Sequence, residues 1–423
     1  MNTIWRRVKL GDVAEAQAGF AFKSGRFTDD PNDIPLVKGE NVGQGRILWN
    51  ISKRWPAAEW WEFATYHLRA GDVVVAMDRP WVPAGLKWAP IRDGDPDALL
   101  VQRVARLRTA SGDLEQRYLP VLIGSPLFDD YLRPITTGVN VPHVSARQIL
   151  DFEFSLPPVA VQHRIAAVLA AYGDLIDNNL SRIQILREMA RSIYREWFVR
   201  FRFPGHEGIG RVDSLLGPIP EGWVGRFDDL LSIDRDGLDP GDFPDERFQH
   251  FSIPAFDDGQ LPVEEAGSVI KSTKYLIDGK CVLLSKLNPR IPRVWRPRPS
   301  DGLRAVASTE FLVLRPRVSA LRDFIFATCS SVEFTGRFVA LSVGTSTSHQ
   351  RVKPQDVLSF AVIVPPRPIL EAFSQSVGPI YDLIQVLREQ SAVLRRTRDL
   401  LLPRLMSGQL TLPEAEEAIP TPL

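Results

Sequence analysis

The sequence predicts an α+β protein: two tandem α+β units joined by two long helices that pack as an antiparallel coiled coil, related by a pseudo-two-fold. Three observations lead there. A mid-chain stretch recurs 208 residues later without a gap, aligning Val144 with Val352, Leu150 with Leu358, Phe152 with Phe360, Pro157-Pro158 with Pro365-Pro366, and Asp174-Leu175-Ile176 with Asp382-Leu383-Ile384. Each copy is preceded by short β-like runs broken by glycine and proline. Each Pro-Pro pair is then followed by an apolar stripe at heptad spacing. Two similar units in one polypeptide suit a ligand with two half-sites, and duplex DNA is the commonest such ligand.

The first unit opens at Trp5-Arg-Arg-Val-Lys-Leu-Gly-Asp-Val13 and continues through the β-like runs Ile34–Lys38, Asp72–Met77 and Val101–Leu107. The second opens at Trp223, with Cys281–Ser285 and Glu310–Leu314 as counterparts. Leu68, Gly71 and Val74 fall on Leu276, Gly279 and Val282 at the same offset, so the repeat takes in the β-rich parts. Short twisted strands with helices following them read as α+β.

In the first helical segment Ile165, Leu169, Tyr172, Ile176, Asn179, Ile183, Leu186, Ala190, Ile193 and Trp197 alternate spacings of four and three, which is a heptad seam. The second gives Phe373, Val377, Ile380, Ile384, Leu387, Ser391, Leu394, Arg398, Leu401 and Leu405, with two polar intrusions. Gly173 in one copy and Gly378-Pro379 in the other predict a short helix, a break and a long helix, because proline lacks an N–H and clashes with the preceding turn. From Ile176 to Trp197, a rise of about 1.5 Å per residue makes a rod of roughly 30 Å. Asn179, at a core position, is placed either to fix the register at a cost in stability or to face a partner or solvent. The expected boundaries are a first domain over 1–156, a helical region over 157–203, a turn-rich linker over 204–222, a second domain over 223–365, a second helical region over 366–411 and a frayed tail over 412–423.

Composition narrows the function. A chain of 423 residues with 44% hydrophobic and 24% charged residues is long enough for two cored domains and is ordinary for a globular protein. No unbroken apolar run approaches the roughly 18 residues of a membrane span, and the first residues carry no signal-peptide core, so no membrane association and a cytoplasmic location are expected. Cys281 and Cys329 cannot build a disulfide framework and read as small buried hydrophobes. Net charge is zero, but its distribution is uneven: acids dominate Asp228–Glu265, whereas Lys286–Arg298 carries five cations and no acid. The histidines lack zinc-ligand spacing, and there is neither a phosphate-binding glycine loop nor an adenine-methylation motif.

Four further segments complete the pattern: Ser192-Ile-Tyr-Arg-Glu-Trp-Phe198, Phe201-Arg-Phe-Pro-Gly205, Leu216-Gly-Pro-Ile-Pro-Glu-Gly-Trp223 and Leu402-Pro-Arg-Leu-Met-Ser-Gly-Gln-Leu410. In this order and spacing the chain resembles a specificity subunit of a type I restriction–modification system over essentially its whole length. The acid-rich start of the second domain and the intrusions Ser391 and Arg398 depart from that pattern. The resemblance implies two target-recognition domains that read a split target in double-stranded DNA, no catalysis, and no cofactor in this subunit. It also implies two methyltransferase subunits as partners, which bring S-adenosylmethionine, and restriction subunits, where present, which bring ATP and Mg.

Base reading needs donors and acceptors at loop tips, and phosphate contact needs cations or small hydroxyls. Equivalent loops before Val144 and Val352 supply Thr137, Asn140 and His143 in one unit, and Thr345, Ser346, Ser348, His349 and Arg351 in the other. Segments after each central strand supply Arg79, Trp81 and Lys87, and Lys286, Asn288, Arg290, Arg293 and Arg296. Lys38 and Asn41 form a third candidate group, together with Glu40. The bland readings are a glycine turn for the loops and a solvated cationic face for the basic segments. Arg187, Arg191 and Arg195 form an arginine stripe on the first helix, and Trp197 and Phe198 are core aromatics or a docking surface. Two rival functions remain: a coiled-coil scaffold joining protein partners without DNA reading, and a nuclease with a diverged metal site.

Overall fold

The computed structural model describes residues 5–82, 85–137, 142–214, 216–342 and 350–406. The chain divides into two compact units, Met1–Ile176 with Val393–Leu423 and Asp177–Ala392, so each takes in a share of both long helices.

Unit 1 is built on an antiparallel sheet of order Ala14–Ala18, Val104–Thr109, Val73–Ala76, Trp88–Pro90. Its central strand, Val73–Ala76, is buried on both faces, which accounts for an unbroken apolar run instead of an alternating one. A second sheet runs Arg54–Trp55, Ile34–Val37, Ala98–Leu100, His67–Leu68, with the middle pair parallel. Arg6–Lys9 pairs with Glu153–Leu156 and so brings the start of the domain to its end.

Unit 2 repeats this plan. Its antiparallel sheet runs Leu231–Asp234, Phe311–Pro316, Val282–Ser285, Val294–Trp295, and its second sheet again has a parallel central pair, Arg247–Phe251 with Arg304–Ala307, plus one extra strand, Gly237–Leu238. Val224–Arg226 pairs with Ala361–Ile363 as the counterpart of the closing ribbon.

The 208 offset fits the sheet pairings. Leu68 opposes Ala98 and Leu276 opposes Val306, and Val74 opposes Arg106 while Val282 opposes Leu314. Just beyond the central strand the match slips by one residue: the Val144 N–H reaches the Met77 carbonyl and the Val352 N–H the Lys286 carbonyl, so Met77 corresponds to Lys286.

Both long helices are unbroken, over Val159–Tyr194 and Arg367–Met406, contrary to the expected short helix, break and long helix. Gly173 costs only propensity, and Pro379 forfeits one backbone bond where Val377, Ile384 and Leu387, all buried, hold the helix on either side. The first helix ends in a π-turn, Arg195–Val199. Its seam is correct: Ile165, Leu169, Tyr172, Ile176, Asn179, Ile183 and Ala190 are buried. By length and composition this helix also has a window apolar enough to cross a membrane, a measure that counting unbroken runs misses, but its seam is that of a core helix.

Within unit 2 the helices run antiparallel. Asn179 lies against Gln390 and Ser391, Ile183 packs with Ile384 and Leu387, and Trp197 meets Phe373. The Asn179 amide donates to Gln390 Oε1 at 3.0 Å and Ser391 Oγ at 3.4 Å, so one of the two intrusions in the second seam is the partner of the polar residue in the first. Trp197 and Phe198 are core aromatics: Phe198 is buried, with ring centroids 4.8 Å from Phe324 and 4.9 Å from Phe373. Cys281 and Cys329 are buried and free, and burial pushes the Cys281 thiol up to about 12. The expected linker is partly a β-hairpin, Arg211–Ser214 with Gly217–Pro220, anchored by buried Ile219. The tail beyond Met406 lies outside the described residues.

Candidate nucleic-acid interface

In unit 1 three segments cross just beyond the central strand. The Met77 N–H donates to the Arg103 carbonyl at 2.8 Å, Arg79 N–H to the Pro142 carbonyl at 2.8 Å, and Val144 N–H to the Met77 carbonyl at 2.8 Å. Thr137 and His143 exchange backbone bonds of 3.0 and 2.7 Å. Asp78 sits at the centre, accepting from His143 Nδ1 at 2.6 Å and Arg103 Nη1 at 2.7 Å. The Lys87 ammonium donates to the Gly39 carbonyl, which draws in the Lys38–Asn41 turn. Burial pulls the Lys87 ammonium below its usual value, and the Arg79 charge adds to the effect. Segments that looked like separate candidates in sequence thus form one surface.

Unit 2 makes the same crossing. Lys286 N–H donates to the Glu310 carbonyl at 2.9 Å, Asn288 N–H to the Gln350 carbonyl at 2.9 Å, and Val352 N–H to the Lys286 carbonyl at 3.1 Å. Met77, Arg79 and Arg103 therefore correspond to Lys286, Asn288 and Glu310. The side chains differ: Glu310 takes two hydrogen bonds from Arg351, at 3.1 and 2.8 Å, which hold its carboxyl below the usual range.

Residues 2–187 match the family profile for the type I restriction modification DNA specificity domain. The MjaIX specificity subunit of Methanocaldococcus jannaschii is 26% identical over 307 residues, 70% of this chain and 69% of that protein. Residues 2–187 carry a type I restriction modification DNA specificity domain. The EcoAI specificity subunit of Escherichia coli is 31% identical over 161 residues, 38% of this chain and 27% of its own length. In fold, the chain is similar to a type I system S subunit from M. genitalium, with a TM-score of 0.60 at 11% identity, covering 96% of this chain and 97% of that one.

The expected contact residues fall into four groups. Arg79, Thr137 and Arg290 are exposed, and Trp81, Lys87, His143, Lys286 and Asn288 are half-buried around the two crossings. Trp81 is fixed by a 3.4 Å bond from its indole N–H to Thr136 Oγ1 and by Arg133, 4.4 Å over its ring. Lys38 and Arg351 are committed to Glu40 and Glu310, each at 2.8 Å, with part of each side chain open to solvent. Three residues are structural instead. Asn41 is buried and pins its own turn through Lys38 N–H, the Leu36 carbonyl and Ser52. Arg293 is buried and makes a two-pronged pair with Asp257 at 2.7 and 2.8 Å. Arg296 bridges Asp323 and Asp382 at 2.7 Å each; burial alone would lower its pKa, but the two carboxylates raise it. Asn140, Thr345, Ser346, Ser348 and His349 lie outside the described residues.

The arginine stripe is only partly exposed: Arg191 and Arg195 face solvent, with Arg191 bonded to Glu188 at 2.6 Å, while Arg187 is half-buried and depressed by burial and by Arg191. Sequence reasoning missed Arg103 and Glu310, which precede their strands and complete each crossing. A left-handed backbone at Arg103, φ 72°, carries no sequence mark because the residue is not glycine.

Proposed function

We propose that the chain is a type I restriction–modification specificity subunit that reads a two-part target in double-stranded DNA, one half-site per unit, through the surface formed where the three segments cross. The carrying observation is that one backbone crossing recurs in both units with different side chains, as expected of two readers tuned to different bases. The reaction belongs to partners in this reading: two methyltransferase subunits supply S-adenosylmethionine chemistry, and restriction subunits, where present, supply ATP- and Mg-dependent cleavage. The complex acts in the cytoplasm, and this chain contributes no catalytic residue and no cofactor. Grip comes from Lys87, Arg290 and Lys286, with Arg79, Arg351, Trp81, Thr137 and His143 lining the surface.

The test is to assemble the chain with its methyltransferase subunits and map modified bases in host DNA. The expected result is a motif of two short elements separated by unspecified bases, and a mobility shift on duplexes carrying both. A chain that assembles with its partners yet shifts no duplex would favour the scaffold reading.

A further inference from the structure

In both units the chain leaves the central strand through a non-glycine residue in the left-handed region, Arg79 at φ 45° and Asn288 at φ 49°. They occupy one place in the fold. Each lies three residues beyond its strand, after Ala76 or Ser285, and each gives its N–H to the carbonyl two residues before Val144 or Val352. Asparagine enters this region at little cost, whereas arginine pays a penalty that glycine would avoid. Strain of this kind collects at functional sites, where the surrounding structure holds it in place.

The surroundings of Arg79 leave its guanidinium uncompensated. The residue is exposed and makes no side-chain hydrogen bond or ion pair among the described residues. Nearby carboxylates are already engaged: Asp78 by His143 and Arg103, Glu40 by Lys38. The equivalent position in unit 2 carries a neutral amide, whereas a phosphate clamp would keep a cation in both units. An arginine fork and an asparagine amide are instead the side chains that pair two-pronged with guanine and with adenine in the major groove.

We infer that this left-handed position is the base-reading position of each unit, with Arg79 set for a guanine in the first half-site and Asn288 for an adenine in the second. The inference rests on the DNA-reading function proposed above. It adds which residue reads, which base, and why the backbone there is held as it is.

The experiment uses the full chain assembled with its methyltransferase subunits, competition binding on duplexes varied one base pair at a time, and a salt series. Arg79→Lys keeps the charge but loses the fork, and Arg79→Gly keeps the backbone without strain, so its thermal midpoint should not fall. Both should lose ~10-fold or more of the discrimination at one G·C pair of the first half-site, leaving the second half-site intact. For Arg79→Lys the salt slope should stay unchanged. Asn288→Gly should relax one A·T pair of the second half-site alone. The inference is overturned if Arg79→Lys keeps full discrimination while Arg79→Gly weakens binding to every duplex alike and lowers the salt slope by about one, the behaviour of a phosphate contact. It is also overturned if the first half-site contains no G·C pair. Failure of the unaltered complex to select any bipartite duplex would instead remove the underlying reading.

Discussion

Arg293 and Arg296 show how far a cation-rich segment can mislead. Five cations without an acid between residues 286 and 298 look like a phosphate surface, yet two of them answer acids that are distant in sequence, Asp257, Asp323 and Asp382. The acid-rich stretch of the same unit is matched in the same way, with Glu246 on Arg304 and Asp234 on Arg315. Replacing Arg296 with alanine would strand Asp323, which is itself buried, and is expected to cost about 3–5 kcal/mol of unfolding free energy. Denaturant titration would measure that loss, and the salt slope of DNA binding should not move; a changed slope with unchanged stability would return Arg296 to the DNA surface. Cys281 and Cys329 give a second check at this scale. Burial and a Cys281 thiol held near 12 predict no labelling by a thiol reagent in the native protein and two labelled sites after denaturation.

Among the elements, the long helices were the most legible in sequence and their interruptions the least. A heptad seam is a property of spacing alone, so Ile165 to Trp197 could be read directly, and burial follows it closely. Whether Gly173 or Pro379 breaks a helix depends on what packs on either side, which spacing does not contain. The strands were legible as apolar runs, but the one-residue slip just beyond the central strand, where Met77 matches Lys286, was not, because it is decided by backbone bonds to a segment elsewhere in the chain. The candidate surface was legible only as loops of suitable composition. Its organising bonds run from backbone to backbone and leave no trace in residue identity. The buried Asn179–Ser391 contact yields a prediction here. Asn179→Leu leaves the Ser391 hydroxyl donating to the Leu387 carbonyl at 2.7 Å and takes one donor from half-buried Gln390, so stability should change by no more than about 1 kcal/mol. Amide exchange over residues 177–190 should quicken as alternative registers open, and unchanged exchange would show that the apolar seam alone sets the pairing.

For the whole molecule, duplication with divergence predicts modular reading. Exchanging residues 1–156 for the matching segment of another specificity subunit should change one element of the modified motif and preserve the other, as read by mapping modified bases; simultaneous change of both would refute one reader per half-site. The boundary between the compact units carries a different consequence. It runs through the helices at Ile176 and Ala392, whereas the exposed, glycine-rich connection near Gly205 and Gly208 is where a protease would cut. A nick there leaves residues 177–203, including Tyr194, Trp197 and Phe198, covalently on the amino-terminal fragment although they fill the core of the other unit. The two pieces would remain clamped together as a complemented pair, and neither would be expected to stay in solution once its counterpart was stripped away.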